Sequence, residues 1–296
     1  MTWIPVTLAA AVFQILRTSR QHQLQSFLSP TAAGAVRYLY ALPFAAIAAA
    51  TTFVVAPESI SVPWRFWLIA AGGGAAQILG TIALLQSFRL RDFAIGTVYA
   101  KTEVIQVAVI SAALLGEPLK AWGWLGAALV AVGVALLAAD GRLVESLRNA
   151  RDPAATMGIL AGAGFGLAAT GIRAASNSLG DASVWHRSMM TLVVMLTIQT
   201  AVNALWLGWR DRDGLIAIAT NWRLCVPVGL LSMCGTTGWA VAMTLTNAAK
   251  VRTLGQIEIV FAFAIGVAAH GESHTRAEYV ASAIVVAGIV AVIVLG

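Results

Sequence analysis

The chain has 296 residues and a formal net charge of +6, with 59% hydrophobic and only 11% charged residues and a mean hydropathy of +0.82. Soluble domains carry about a quarter charged residues, so this composition excludes a water-clothed globule, and lipid has to cover most of the surface. The basic residues sit scattered at segment ends, with no basic stripe interleaved with aromatics, which argues against a nucleic-acid partner.

A helix needs roughly 20 mainly apolar residues to cross a bilayer core. In chain order the sequence predicts ten such segments: Trp3–Gln23, Pro30–Ala56, Pro63–Ser87, Phe93–Leu115, Leu119–Ala139, Ala155–Ser178, Ser183–Trp209, Trp222–Asn247, Arg252–His270 and Arg276–Gly296. Short polar or turn-forming gaps separate them, such as Pro57-Glu58, Gly116-Glu117-Pro118 and Arg210-Asp211-Arg212-Asp213-Gly214. The first segment has no Lys or Arg before Arg17, so it reads as a retained helix and not as a cleaved signal peptide.

The longest gap, Asp140 to Pro153, divides the chain near its midpoint, and the two sides match in order. Trp64-Arg65 opens the third segment and Trp222-Arg223 the eighth; Gly80 and Gly238 keep the same spacing. Gly116-Glu117 matches Gly271-Glu272, Glu103 matches Glu258 and Gly133 matches Gly288 at a second, common spacing. The expectation is two five-helix repeats, 1–148 and 149–296. An odd number of spans inserts the second repeat upside down, an arrangement that builds many secondary transporters around a midplane site.

An ionisable residue inside a span is a functional candidate by default. Lys101 and Glu103 in segment four, and Glu258 with neighbouring Gln256 in segment nine, are such residues. Two positions apart on a helix, Lys101 and Glu103 point to different sides and should pair with other helices. Two readings stand: a polar site where Lys101 meets a carboxylate and Glu258 an ammonium or proton, or a structural ion pair between the repeats. In segment one Gln14, Arg17 and Thr18 share a face with Gln21 and Gln25; they line a path, or else the helix leaves the membrane at Arg17. Arg37 could grip a substrate carboxylate bidentately or snorkel, with Tyr38 beside it. His186 either assists proton coupling or is interfacial. Gln77, Thr81, Tyr99 and Thr237 offer neutral hydrogen-bond partners or an aromatic wall, and Gly158, Gly162 and Gly166 form a packing face.

Leu114-Leu115-Gly116-Glu117-Pro118-Leu119 resembles the L-L-G-E-P-L hallmark of the EamA domain in the drug/metabolite transporter superfamily, and Ala269-His270-Gly271-Glu272 resembles its second copy. Many members have Glu-Pro where this chain has Glu103-Val104 and Glu258-Ile259. The resemblance spans all ten segments. It implies an all-α, ten-helix, multi-pass protein of a bacterial-type inner (plasma) membrane, which exports amino acids, aromatic ones included, or similar small metabolites. A pump for lipophilic cations is the alternative, since Glu103 and Glu258 would suit it. The family keeps both termini in the cytoplasm. The Lys and Arg outside the segments instead fall mostly on the side of the first-to-second connection, which puts the termini outside by the positive-inside rule.

No enzyme is expected. There is no His-Glu-x-x-His, Walker or serine-elbow motif, and the histidines are dispersed. Cys225 and Cys234 lie in one apolar segment and read as small buried residues. No cofactor and no metal is expected; the partners are the lipid bilayer and a small-molecule substrate, with the oligomeric state open.

Overall fold

The computed structural model describes residues 1–90, 98–138, 153–261 and 275–296. Among them every regular element is helical and no strand occurs. The helices are α1 (Trp3–Leu24), α2 (Pro30–Leu39), α3 (Ala41–Val55), α4 (Trp64–Leu90), α5 (Glu103–Leu115), α6 (Ala121–Ala138), α7 (Pro153–Asn177), α8 (Val184–Arg210), α9 (Arg212–Thr220), α10 (Trp222–Leu245), α11 (Ala248–Gly255) and α12 (Arg276–Val294). Gly271-Glu272, His270, His274 and the polar stretch 140–152 lie outside the described residues.

Local chemistry sets the helix ends. Ser29, Ser183, Asp211 and Asn247 each accept a backbone N–H in the first turn of α2, α8, α9 and α11. Thr275 and Glu278 form a reciprocal capping box on α12. Gly116 ends α5 at φ 64°, a left-handed conformation that glycine adopts without strain. That is the physical role of the first glycine in the Gly-Glu hallmark.

Seven helical stretches are long and apolar enough to cross a membrane: Pro30–Val55, Trp64–Leu90, Val98–Leu115, Pro153–Asn177, Val184–Arg210, Trp222–Leu245 and Arg276–Val294. Ala121–Leu137 is a shorter apolar helix. The expected ten spans are therefore seven among the described residues. Segment one carries a polar second half, segment five is short, and segment nine is described only as far as Phe261. Segment two is two helices that meet at Tyr40. There α10 presses in: a Cβ on Gly229 would lie 2.3 Å from Tyr40 Cβ. Leu205 and Trp64 are 75% and 76% exposed, as lipid-facing side chains must be in a bundle with this composition.

The chain forms two compact units, which do not follow the sequence halves. Unit one is Met1–Gly74 with Gly171–Leu245, and unit two is Ala75–Thr170 with Thr246–Gly296. In unit one α1 packs along α10, and α3 and α2 pack on α8 and α10. In unit two α12 packs along α6, and α11 on α5.

The pair α6–α12 has self-complementary packing. A Cβ on Gly133 would strike Ala281 O and Val285 at 2.9 and 2.7 Å; one on Gly288 would strike Gly126 O and Val130 at 2.6 and 2.8 Å. Gly133 and Gly288, Gly126 and Ala281, and Val130 and Val285 are all separated by the same number of residues. Each helix thus offers the other the same patch, as in an isologous interface. A related pattern recurs at the matched glycines: Gly80 packs on Ala161 and Phe165 in unit two, and Gly238 on Val6 and Ala10 in unit one.

Gly288→Ala is expected to lower stability by about 1–3 kcal/mol through overpacking against a backbone carbonyl. Gly34→Ala, where an added Cβ meets nothing within 4 Å, is expected to be neutral or slightly stabilising. Thermal unfolding of the detergent-solubilised protein compares the two.

Candidate functional site

Lys101, Glu103 and Glu258, three of the charged residues predicted inside the membrane, converge within unit two. The helix around segment four is interrupted at Lys101-Thr102, and the helix around segment nine at Gln256. These positions match under the spacing of 155 residues that separates Lys101 from Gln256. The tightened geometry is the same at both. Val104 N–H donates to Lys101 O at 3.4 Å, and Ile259 N–H to Gln256 O at 3.1 Å, each three residues back instead of four. Proline is absent from both places, yet the helices break. In segment four side-chain bonds accompany the break: Thr102 Oγ1 donates to Tyr99 O at 2.5 Å, and Gln106 Nε2 donates to Thr102 Oγ1 at 2.8 Å. Such local bonds compete with the regular ladder.

Two ion pairs close across the interruptions. Arg252 Nε lies 2.6 Å from Glu103 Oε1, with side chains only 18% and 5% exposed. Lys101 Nζ lies 3.3 Å from Glu258 Oε1, at 21% and 17% exposed. Lys101 Nζ also donates to Gln256 Oε1 at 3.1 Å, and Glu258 lies within electrostatic reach of Arg252 after Glu103. Lys101 and Glu103 thus pair with another helix and not with each other, as their spacing predicts. Gly162 of α7 lets the broken segment come close: a Cβ there would meet Ala100 O at 3.0 Å and Glu103 N at 3.1 Å. Gly166 packs likewise on Val107 and Ile110, so two of the glycines of the predicted packing face are used for packing. Tyr99 is buried against Ala154 and Ala155.

Sequence reading missed Arg252, which looked like a basic residue at a segment end. The overlooked signal is Asn247, an N-cap that starts α11 ahead of Arg252 and carries the arginine into the helix. Gln77 and Thr81 are also in unit two, where Thr81 Oγ1 back-bonds Gln77 O at 2.9 Å.

The other candidates lie in unit one. Helix α1 continues to Leu24, so it does not stop at Arg17. Gln14 Oε1 accepts from Trp239 Nε1 at 3.1 Å, joining α1 to α10, while Thr18 back-bonds Gln14 O and Arg17 bonds Thr18. The Arg37 guanidinium sits 4.9 Å over the Tyr38 ring, and Tyr38 OH and Thr237 Oγ1 are buried without a hydrogen-bond partner. In a bilayer such hydroxyls call for a ligand or a water.

His186 holds a surface loop. Its Nδ1 lies 2.8 Å from Glu58 Oε2 and 2.6 Å from Ser183 Oγ, and its Nε2 lies 2.7 Å from Ala56 O. Phe53 packs edge-on at 5.0 Å. Because Ser183 and Glu58 meet the same ring nitrogen, this is a helix cap and not a Ser-His-Glu nucleophile arrangement. Glu58 Oε1 accepts from Ser183 N–H at 2.8 Å. That bond, with His186 and Arg187 nearby, holds the Glu58 carboxyl below its ordinary value. Among the described residues no group of three His, Cys, Asp or Glu could hold a metal.

No family model matches the chain. It is 37% identical over 94 residues to an "Uncharacterized transporter in cobO 3'region" of Sinorhizobium sp; the match spans 32% of this chain and 65% of that relative. A solved crystal structure, described only as that of a protein, superposes over 99% of this chain and 97% of its own with a TM-score of 0.73 at 16% identity. That likeness covers the fold alone, over the whole length of both. The chain is an all-helical, multi-pass membrane protein similar over part of its length to a transporter.

Glu103→Gln removes the carboxylate that lies 2.6 Å from Arg252 and is expected to cost about 3–5 kcal/mol, as breaking a buried pair does, whereas Lys101→Met, at the more exposed pair, is expected to shift Tm far less. Glu58 contributes stability above its ordinary carboxylate value that is lost as the pH falls through its lowered one. The Tm advantage of the wild type over Glu58→Gln should therefore shrink on acidification through the carboxylate range, which thermal scans across pH would read.

Proposed function

We propose that the protein is a secondary transporter that exports small metabolites, amino acids and aromatic ones among them, by alternating access through a central cavity between two inverted five-helix repeats. The observation that carries this reading is the pair of matched helix interruptions, each holding ionisable side chains inside an otherwise apolar bundle. Discontinuous membrane helices are where transporters form substrate and ion sites, because the broken turns leave backbone groups to coordinate cargo. The equal spacing of the interruptions and the self-complementary packing of α6 and α12 support a duplicated origin for residues 1–148 and 149–296. The resemblance of the Gly116-Glu117 turn to the EamA hallmark, and the partial similarity to a transporter, point the same way.

We read the protein as a carrier and not an enzyme, seated in a bacterial-type inner membrane. The polar groups number few and lie on separate helices, which suits binding and release. A lipophilic-cation pump needs a carboxylate that is not already matched. Glu103 and Glu258 are each matched by a cation, which favours a cargo with a negative group as well. Arg37, inside a span of unit one and stacked on its neighbour Tyr38, is a further cation that suits a cargo with a negative group.

Radiolabelled amino acids offered to proteoliposomes, with and without an imposed proton gradient, test the reading. Saturable uptake of one amino-acid group is the expected result, reduced by Arg37→Ala with unchanged Tm. Flux of lipophilic cations with none of any amino acid would overturn it.

A further inference from the structure

One end of unit one gathers aromatic and basic side chains. The span Val184–Arg210 ends there and the span Trp222–Leu245 begins there. Leu207, Ile218 and Cys225 share one buried cluster, so the nine residues of α9 hold the two helix ends together. The last turn of α8 sets Trp206, Trp209 and Arg210 at i, i+3 and i+4, on one exposed face. The two indoles meet edge to face, with centroids 6.3 Å apart. The Arg210 guanidinium lies 4.2 Å from the Trp209 centroid and 5.7 Å from that of Trp206, both within cation–π range. At the start of α10 the Arg223 guanidinium lies 5.4 Å from the ring of its neighbour Trp222.

Stacking occupies the face of a guanidinium and leaves its N–H edge for an anion. Among the described residues no carboxylate pairs with Arg210, Arg212 or Arg223. Asp211 is taken: its Oδ1 accepts from Gly214 N–H at 3.0 Å, and its Oδ2 accepts from Ser29 Oγ. Asp213 is exposed, one carboxylate beside three exposed arginines.

We propose that Trp206, Trp209 and Arg210 form a headgroup site for an anionic phospholipid, with Arg212 and Arg223 adding positive charge at the same end. The end of a span lies at headgroup depth, where indoles settle and lipid phosphate is the abundant anion. A phosphate accepts two parallel N–H bonds from a guanidinium, a fork that lysine does not offer. The indoles hold Arg210 in place before the lipid arrives, which lowers the ordering cost of binding. The excess of positive charge selects a lipid of net negative charge over a zwitterionic one. Such a lipid binds the folded protein and so stabilises it by mass action. The site is independent of what the protein carries.

The test takes the full-length protein in a neutral detergent and titrates it with phosphatidylglycerol or phosphatidylcholine of the same acyl chains. Native mass spectrometry reads bound lipid, and thermal unfolding reads Tm. The expected result is a tightly held phosphatidylglycerol, no matching phosphatidylcholine, and a Tm that rises with phosphatidylglycerol alone. Arg210→Gln should weaken that binding by about tenfold to a hundredfold, the span of hydrogen bonds to a charged group. Arg210→Lys keeps the charge without the fork and should also bind weakly. Arg65→Gln removes an exposed arginine at the opposite end of the unit, past Ala56, where the first turn of α8 begins; it should bind as the wild type does. Full binding by Arg210→Lys, or an equal loss in Arg65→Gln, would assign the effect to diffuse surface charge and overturn the site. Equal retention of the two lipids, or displacement of phosphatidylglycerol by soluble glycerol phosphate at equal concentration, would overturn the anionic-lipid assignment.

Discussion

A charge inside a bilayer must be matched by the protein itself, and that requirement organises the polar interior of unit two. Two cations and two carboxylates from segments four and nine meet there, and neither segment could carry its charges through lipid alone. The helix interruptions follow from the same need. An unbroken helix would keep Lys101 and Glu103 on different sides, each fixed to its own turn. The break at Lys101-Thr102 and its counterpart at Gln256 meet directly, with Lys101 Nζ donating to Gln256 Oε1 at 3.1 Å. Exposed backbone at the breaks is tolerable in lipid only because protein surrounds it.

Glycine supplies the closeness this arrangement requires. Hydrophobic burial gives little reason for helices to associate in lipid, so packing has to do it. Gly162 brings α7 to within contact of the backbone at Ala100 and Glu103, and Gly126, Gly133 and Gly288 bring α6 and α12 backbone to backbone. The contacts of Gly126, Gly133 and Gly288 fall at positions related by one spacing, with Ala281 at the place matching Gly126. At the other extreme, Gly116 is used for its left-handed turn, its N–H donating to Ser111 O, and a Cβ there would meet nothing within 4 Å.

Unit one solves its polar problem differently. Its helices are joined by single hydrogen bonds: Trp239 to Gln14, Ser188 to Thr244 at 2.9 Å and Ser176 to Thr191 at 3.1 Å, all neutral, and the charged Arg173 to the Met243 carbonyl at 2.8 Å. At its surface Glu58 and His186 cross-link the loop after α3 to the first turn of α8. The two units thus divide the work between single hydrogen bonds and paired charge.

The sequence by itself determined the class. An apolar composition with short polar gaps can only be a helical bundle in lipid, and buried charges such as Lys101, Glu103 and Glu258 announce themselves because charge in a span is rare. Matched residues at two nearby spacings are legible in the sequence for the same reason: identity at fixed distance survives without coordinates. What only the tertiary structure decided is who meets whom. Asn247 as a cap, and with it Arg252 as the partner of Glu103, depends on where α11 begins, which periodicity alone leaves uncertain by about a turn. At the break in segment four, Thr102 bonds the Tyr99 carbonyl and Gln106 bonds Thr102, a local arrangement that no motif records. The unequal openness of the two ion pairs depends on surrounding atoms from distant parts of the chain, because solvent access is a property of packing and not of spacing.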